Sequence, residues 1–144
     1  MAVKEIYQTS VKVYDTDFQG IAHYASYYRF YTDAITYFSE KVFGDTLETL
    51  SYRGIWFVVV ESFSKYHRPA KIGDAITVEV TAELLSLKAI KYSFRIFRDK
   101  DFLTEGYLVM VCVDPRVWKS TEIPGDLVEK LKKAEQTESS GSQS

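Results

Sequence analysis

Between residues 23 and 43 the hydrophobic pattern of the chain has a helical period. Tyr24, Tyr27, Tyr28, Tyr31, Ile35, Phe38 and Val42 recur mostly three or four positions apart, the spacing of one helix face. Ser26, Arg29, Thr32, Asp33, Thr36, Ser39 and Glu40 form the complementary polar stripe. Phe30 and Tyr37 widen the apolar arc beyond what a surface helix needs. The spacing therefore predicts a long helix covered over much of its circumference. Gly44-Asp45 stops it, because glycine accepts the left-handed conformation that follows a helix end.

Elsewhere the pattern is that of strands. Residues 5–14 read as a first strand, ending at the turn-forming Asp15-Thr16-Asp17. Residues 55–66 are a nearly continuous apolar strand, and Arg68-Pro69 and Gly73-Asp74 punctuate the turn after it. Ile76, Val78, Val80, Ala82 and Leu84 then alternate with Thr77, Glu79, Thr81 and Glu83, as in a strand with one face in the core. Residues 88–98 alternate again, Asp99-Lys100-Asp101 reads as a hairpin turn, and residues 102–114 form the last long strand. Residues 124–134 read as a short C-terminal helix with Pro124 in its first turn. Residues 136–144 have no apolar surface to bury and are expected to be a disordered tail, leaving one domain over residues 1–135. A single long helix on an antiparallel sheet is an α+β arrangement. One helix cannot cover a long sheet, so the open edges predict dimerisation through an edge strand.

Composition narrows the function classes. The 144 residues carry a net charge of -2, which makes nucleic acid a poor partner. The single Cys112 excludes an internal disulfide framework; in the apolar run 107–113 it reads as a small buried hydrophobe. No apolar run approaches the roughly 20 residues of a membrane span. The N-terminus has no apolar signal-peptide core, so a cytoplasmic location is expected. With two histidines and no acid or cysteine cluster at ligand spacing, no metal is expected. The glycine-rich loops that hold nucleotide phosphates are absent, and no separate cofactor is expected.

The chemistry-bearing segment is Tyr14-Asp15-Thr16-Asp17-Phe18-Gln19-Gly20-Ile21-Ala22-His23-Tyr24-Ala25-Ser26-Tyr27-Tyr28. It places two carboxylates at the end of a strand, a glycine that permits a tight loop, and a histidine where the chain enters the helix. The first N–H groups of a helix have no internal partner and can receive an oxygen that becomes negative. An ester or thioester carbonyl needs such donors as it becomes tetrahedral, together with a nucleophile or a base, and Asp17 can serve as either. The same Asp-x-Asp pattern is equally a turn or capping device, and its spacing alone does not separate the two.

The segment resembles the 4-hydroxybenzoyl-CoA thioesterase and YbgC-like branch of the hotdog-fold superfamily. Its members carry Asp-x-Asp-x-x-Gly, here Asp15 to Gly20, followed by aromatic or His residues and a small-polar-Tyr run, here Ala25-Ser26-Tyr27. A second match is Tyr66-His67-Arg68-Pro69-Ala70-Lys71-Ile72-Gly73-Asp74, similar to the family's Tyr-x-x-Pro-Ala-x-x-Gly-Asp turn. The resemblance implies a long helix wrapped by a curved antiparallel sheet, edge-to-edge homodimers assembling to homotetramers, and active sites at the subunit interface. It implies an acyl-CoA substrate, small or medium and possibly aromatic. Asp17 falls on the catalytic carboxylate, the N–H near Tyr24 on the oxyanion site, and Gly20, Tyr27 and Tyr28 beside the substrate. His23 stands one position before the usual family histidine, a shift of about 100 degrees around the helix; it lines the pocket, or else it caps the helix or packs at an interface.

Several other positions are candidates. Glu61 interrupts an apolar strand and is a reserve carboxylate, an outward or interface position being the alternative. His67 and Arg68 read as turn or interface residues. Lys88, Lys91, Arg95 and Arg98 are either a solvated strand face or, for Lys88 and Lys91, a clamp for the CoA phosphates. A non-catalytic acyl-CoA or acyl-carrier-protein binding module on the same fold is the alternative function.

Overall fold

The structure is a computed structural model that describes the backbone of residues 2–142 and the side-chain surroundings of residues 2–137. Strand β1 (Val3–Ser10) is followed by helix α1 (Tyr24–Val42), helix α2 (Leu47–Tyr52), and strands β2 (Trp56–Tyr66), β3 (Ala75–Ser86), β4 (Ala89–Arg98) and β5 (Asp101–Asp114). A two-residue strand β6 (Lys119–Ser120) and helix α3 (Gly125–Ser142) complete the chain. The strands form one antiparallel sheet in the order β1-β3-β4-β5-β2, with β6 beside the end of β5. This is the helix-and-sheet arrangement of the hotdog fold.

The sheet curls because its ladders carry irregularities. The register shifts at Val60 in β2, at Leu85 in β3 and at Leu103 in β5, each an extra residue without a partner in that ladder. An extra residue bends a strand and increases its local twist. The concave face takes Ile76, Val78, Val80 and Ala82 from β3, and Ile90, Tyr92, Phe94 and Ile96 from β4, all buried. Against it lie Phe30, Tyr31, Ala34, Ile35 and Phe38 of α1. Each fully buried ring or branched side chain contributes about 1.5–3 kcal/mol. Tyr31 also stacks on Phe94 at 4.3 Å between ring centroids.

The buried arc of α1 is displaced from the one its periodicity predicts. Tyr24 is 76% exposed, whereas Ser26 and Ser39, both in the expected polar stripe, are buried. The sheet wraps the middle of the helix more completely than its first turn, and Ser26 is accommodated by donating to the Asp15 carbonyl at 2.6 Å. The first strand is also shorter than the expected 5–14. It ends at Ser10, and Val13–Asp15 form a 3-10 turn. The Asp15 carboxylate closes that turn by accepting the Lys12 N–H at 2.8 Å.

Two elements carry too few residues to show a period in the sequence. Helix α2 has six residues and is fixed by a reciprocal cap between Thr46 and Thr49. Strand β6 has two. The C-terminal helix is present, and Leu127 and Leu131 anchor it in the core. Its helical backbone continues through residues 136–142, where a disordered tail was expected. Glu135, Gln136 and Glu138 are good helix formers and extend a helix already nucleated by packing.

Strand β2 is an edge: β5 pairs one side of it, and among the described residues no strand pairs the other. Val59, Val60 and Phe63 are exposed along it. Gly106, opposite Ser64 of β2, admits the tip of Tyr31 to the sheet. A Cβ there would lie 2.5 Å from the Phe63 carbonyl oxygen and 2.6 Å from the Tyr31 hydroxyl. Gly106→Ala is therefore expected to destabilise the protein by about 1–3 kcal/mol through overpacking, read as a lower denaturant midpoint.

Candidate active site

The loop between the 3-10 turn and α1 is closed on itself. Thr16 bridges Ala22, the Asp17 N–H donates to the Ile21 carbonyl at 3.1 Å, and the Gly20 N–H donates to the Asp17 carbonyl at 3.1 Å. Gly20 has φ +75, a conformation that side chains with a Cβ rarely adopt. The Asp17 carboxylate accepts the Gln19 N–H at 2.8 Å, an Asx turn. The loop is then sewn to the β2–β3 connection. Ala22 donates to Ala70 at 2.8 Å, Ile72 donates to Gly20 at 3.0 Å, and Ile21 bridges Lys71. On the far side of that connection, the Arg98 guanidinium binds the Asp74 carboxylate at 2.7 Å and the Lys71 N–H donates to it at 2.8 Å. The Gly-Asp turn of the sequence motif is thus a brace for the loop that carries Asp17.

The two aspartates of the motif have opposite surroundings. Asp15 is 2% exposed. Arg29 donates to both of its carboxylate oxygens, through Nε at 2.7 Å and through NH2. Burial raises the pKa of Asp15, but the Arg29 pair, the Lys12 N–H and the charge of His23 together outweigh it and hold the carboxyl below its usual range. Asp17 is exposed and has no cationic partner among the described residues.

Helix α1 starts at Tyr24 with His23 as its N-cap, and no side chain caps it. The His23 N–H donates to the Asp15 carbonyl at 3.0 Å, and the Ser26 N–H to the His23 carbonyl at 2.9 Å. The N–H groups of Tyr24 and Ala25 have no acceptor among the described residues. They stand at the positive end of a 19-residue helix. Beside them opens a groove of about 320 Å³, lined by Ile21, Ala22, Tyr24, Tyr27 and the end of β2 with its turn, Tyr66 to Pro69. Tyr27 and Tyr66 meet in its wall at 4.9 Å between ring centroids.

The expected site residues divide accordingly. Tyr24 and Tyr27 line the groove, and Gly20 shapes the loop beside it. Asp17 is not in the lining, but its amide is bonded to Ile21, which is. The His23 ring lies 3.1–3.2 Å from the Ser26 hydroxyl and outside the lining; His23 holds the N-cap position, but its side chain does not cap the helix. Tyr28 packs edge-on against Tyr31 and also lies outside. Glu61 is on the convex face of the sheet, where it and desolvation raise the pKa of Tyr107. Lys91 covers the Tyr107 ring at 4.4 Å on that same face, and Lys88 sits in the β3–β4 turn. Neither lysine reaches the groove; Arg68 supplies a cationic group there and His67 an imidazole that is charged only when protonated. Those two were read from the sequence only as turn or interface residues. Their place in the Tyr66–Asp74 motif was the available signal.

Because the native pKa of Asp15 is depressed, the stability it confers is present above the ordinary carboxylate range and lost as pH falls through the native value. Asp15→Asn is expected to cost about 2 kcal/mol at pH 7. That deficit should shrink toward pH 3, measured by urea denaturation of both proteins at the two pH values.

Over residues 11–131 the chain matches the family described as the thioesterase-like superfamily. The acyl-CoA thioester hydrolase YbgC of Escherichia coli O6:H1 is 28% identical over 138 residues, which cover 88% of this chain and 96% of YbgC. The long-chain acyl-CoA thioesterase FadM of Escherichia coli K12 is 27% identical over 128 residues, covering 86% of this chain and 96% of FadM. The solved structure of a 1,4-dihydroxy-2-naphthoyl-CoA thioesterase from Synechocystis shares the fold, with a TM-score of 0.83 at 18% identity over 89% of this chain and 95% of its own. With the family match spanning both motifs, α1 and strands β2 to β5, the chain belongs to the thioesterase-like superfamily.

Proposed function

We propose that the protein hydrolyses an acyl-CoA thioester to the free acid and CoA. The observation that carries this reading is the pair of unpartnered N–H groups of Tyr24 and Ala25, opening on a ring-lined groove beside the loop of Asp17. The carbonyl oxygen is placed at those donors, which stabilise it as it gains charge. Asp17 either attacks the carbonyl carbon or takes a proton from water that does so. The C–S bond then breaks, and the CoA thiolate leaves and is protonated. In the direct route, water afterwards hydrolyses the acyl-Asp17 anhydride. YbgC and FadM, named for action on acyl-CoA, support the substrate class.

The acyl group is assigned to the groove between Tyr24, Tyr27 and Tyr66, whose size and rings suit a small, medium or aromatic acyl group. The CoA phosphates are assigned to Arg68 and His67 in place of Lys88 and Lys91, because only the former line the groove.

A second copy completes this site in our reading. Phe18, next to Asp17, is 97% exposed, and the open β2 edge displays Val59, Val60 and Phe63. Pairing of two β2 edges in a homodimer, assembling further to a homotetramer, covers these residues and takes Asp17 out of bulk water. The exposure of Asp17 in a single chain favours one alternative, an acyl-CoA or acyl-carrier-protein binding module that does not hydrolyse.

Asp17→Asn is expected to reduce thiol release from an acyl-CoA panel by at least about 100-fold; an equally fast variant removes Asp17 from the reaction. Saturable binding of acyl-CoA by the wild type with no free thiol selects the binding module. Val60→Asp is expected to yield monomers by light scattering and to lose turnover with them.

A further inference from the structure

Asp15 reaches the start of α1 by two routes. Its carbonyl oxygen accepts the His23 N–H at 3.0 Å and the Ser26 hydroxyl at 2.6 Å. Its carboxylate is gripped by Arg29, which projects from the same helix further along. The N-cap and the third residue of α1 therefore hang from the backbone of Asp15, and the side chain of Asp15 is locked to the helix it supports. Arg29 is itself held. It donates to Asp33 at 2.8 Å and lies over the rings of Phe30 and Tyr14 at 4.7 and 5.4 Å.

The clamp frames the two unpartnered donors. Tyr24 and Ala25 lie between His23 and Ser26, the two residues that Asp15 ties down. If that grip loosened, the first turn could fray and the N–H groups would lose their shared direction. An unpaired carboxylate at Asp15 would also place a negative charge in the segment where the reaction builds another. Arg29 prevents both. A guanidinium does not deprotonate in the working pH range, and its planar fork matches a carboxylate in a way that an ammonium does not.

Resting on the thioesterase reading, we propose that Arg29 is a positioning residue for the reaction. Through Asp15 it fixes the Tyr24 and Ala25 N–H groups toward the oxyanion and cancels the neighbouring charge. It leaves Asp17 as the one carboxylate of the motif without a cationic partner. A pair that only braced the fold would affect the amount of folded protein and leave each folded molecule equally active.

The test compares Arg29→Met, Arg29→Lys and the double variant Asp15→Asn/Arg29→Met with the wild type, by thiol release per folded molecule. Arg29→Met is expected to lower kcat at least tenfold with KM within twofold. The acid limb of its pH profile should gain a second ionisation, as Asp15, still buried but without its guanidinium partner, takes up a proton more readily. Arg29→Lys should keep a single-step acid limb and recover part of kcat. The double variant should be no slower than Arg29→Met alone. Independently of turnover, amide exchange at His23, followed by NMR, should accelerate in Arg29→Met and less so in Arg29→Lys. Unchanged kcat and pH profile per folded molecule, or unchanged His23 exchange, overturns the proposal. If the wild type releases no thiol from any acyl-CoA, the thioesterase reading fails and the oxyanion role of Arg29 falls with it. The His23 exchange then still decides whether Arg29 holds the start of the helix.

Discussion

Phe30, Tyr31, Ala34, Ile35 and Phe38 present almost no surface to water, so the sheet must curl around α1 along most of its length. A flat sheet would cover one stripe of these residues. The bulges in β2, β3 and β5 supply the bend, and Gly106 lets Tyr31 sit against the sheet. The cost of wrapping a helix so fully is borne at its ends, where the chain must enter from solvent with its polar backbone satisfied. The C-terminal end is met by Lys130, which donates to the Phe43 carbonyl at 2.9 Å. At the N-terminal end two N–H groups remain free, and chemistry becomes possible there.

The division of labour between Asp15 and Asp17 follows from this geometry. Two residues of the same type, two positions apart, have separate fates because one points beneath the helix start and the other out of the loop. Asp15 is desolvated and would be costly without Arg29. Paired with Arg29, it becomes the anchor for the 3-10 turn, the N-cap and the first helical turn together. Asp17 remains hydrated and is held only by its own Asx turn. One short motif thus yields a buried carboxylate paired with Arg29 and an exposed one, the latter being the proposed reactive group.

The groove is open where β2 ends, and β2 is one of the two edges of the sheet, unpaired on its outer side among the described residues. The same strand therefore shapes the site and, in the proposed homodimer, carries the contact between copies. Its apolar positions on the open side are as exposed as its groove-lining Tyr66. A surface of that kind is unusual on a chain that works alone.

The periodicity of residues 24–42, the strict alternation in 76–84 and the continuous run in 55–66 were enough to lay out helix, sheet and edge, because each pattern is long and burial imposes it directly. The turns of both motifs were also legible: Asp17, Gly20 and the residues 66–74 come together around one loop. Local spacing could not show which side of α1 the sheet would bury. Ser26 and Ser39 went inside and Tyr24 stayed out, since wrapping depends on strands far away in the chain. Nor could it show that Arg29, one member of a polar stripe, would reach back to Asp15. It equally could not show that His23 would turn to Ser26, or that Lys88 and Lys91 would lie off the groove while Arg68 lined it. Sequence determined which residues can bury, turn and react; the closing of the sheet around the helix decided which of them meet, because contacts between distant segments exist only once the core has fixed their distances.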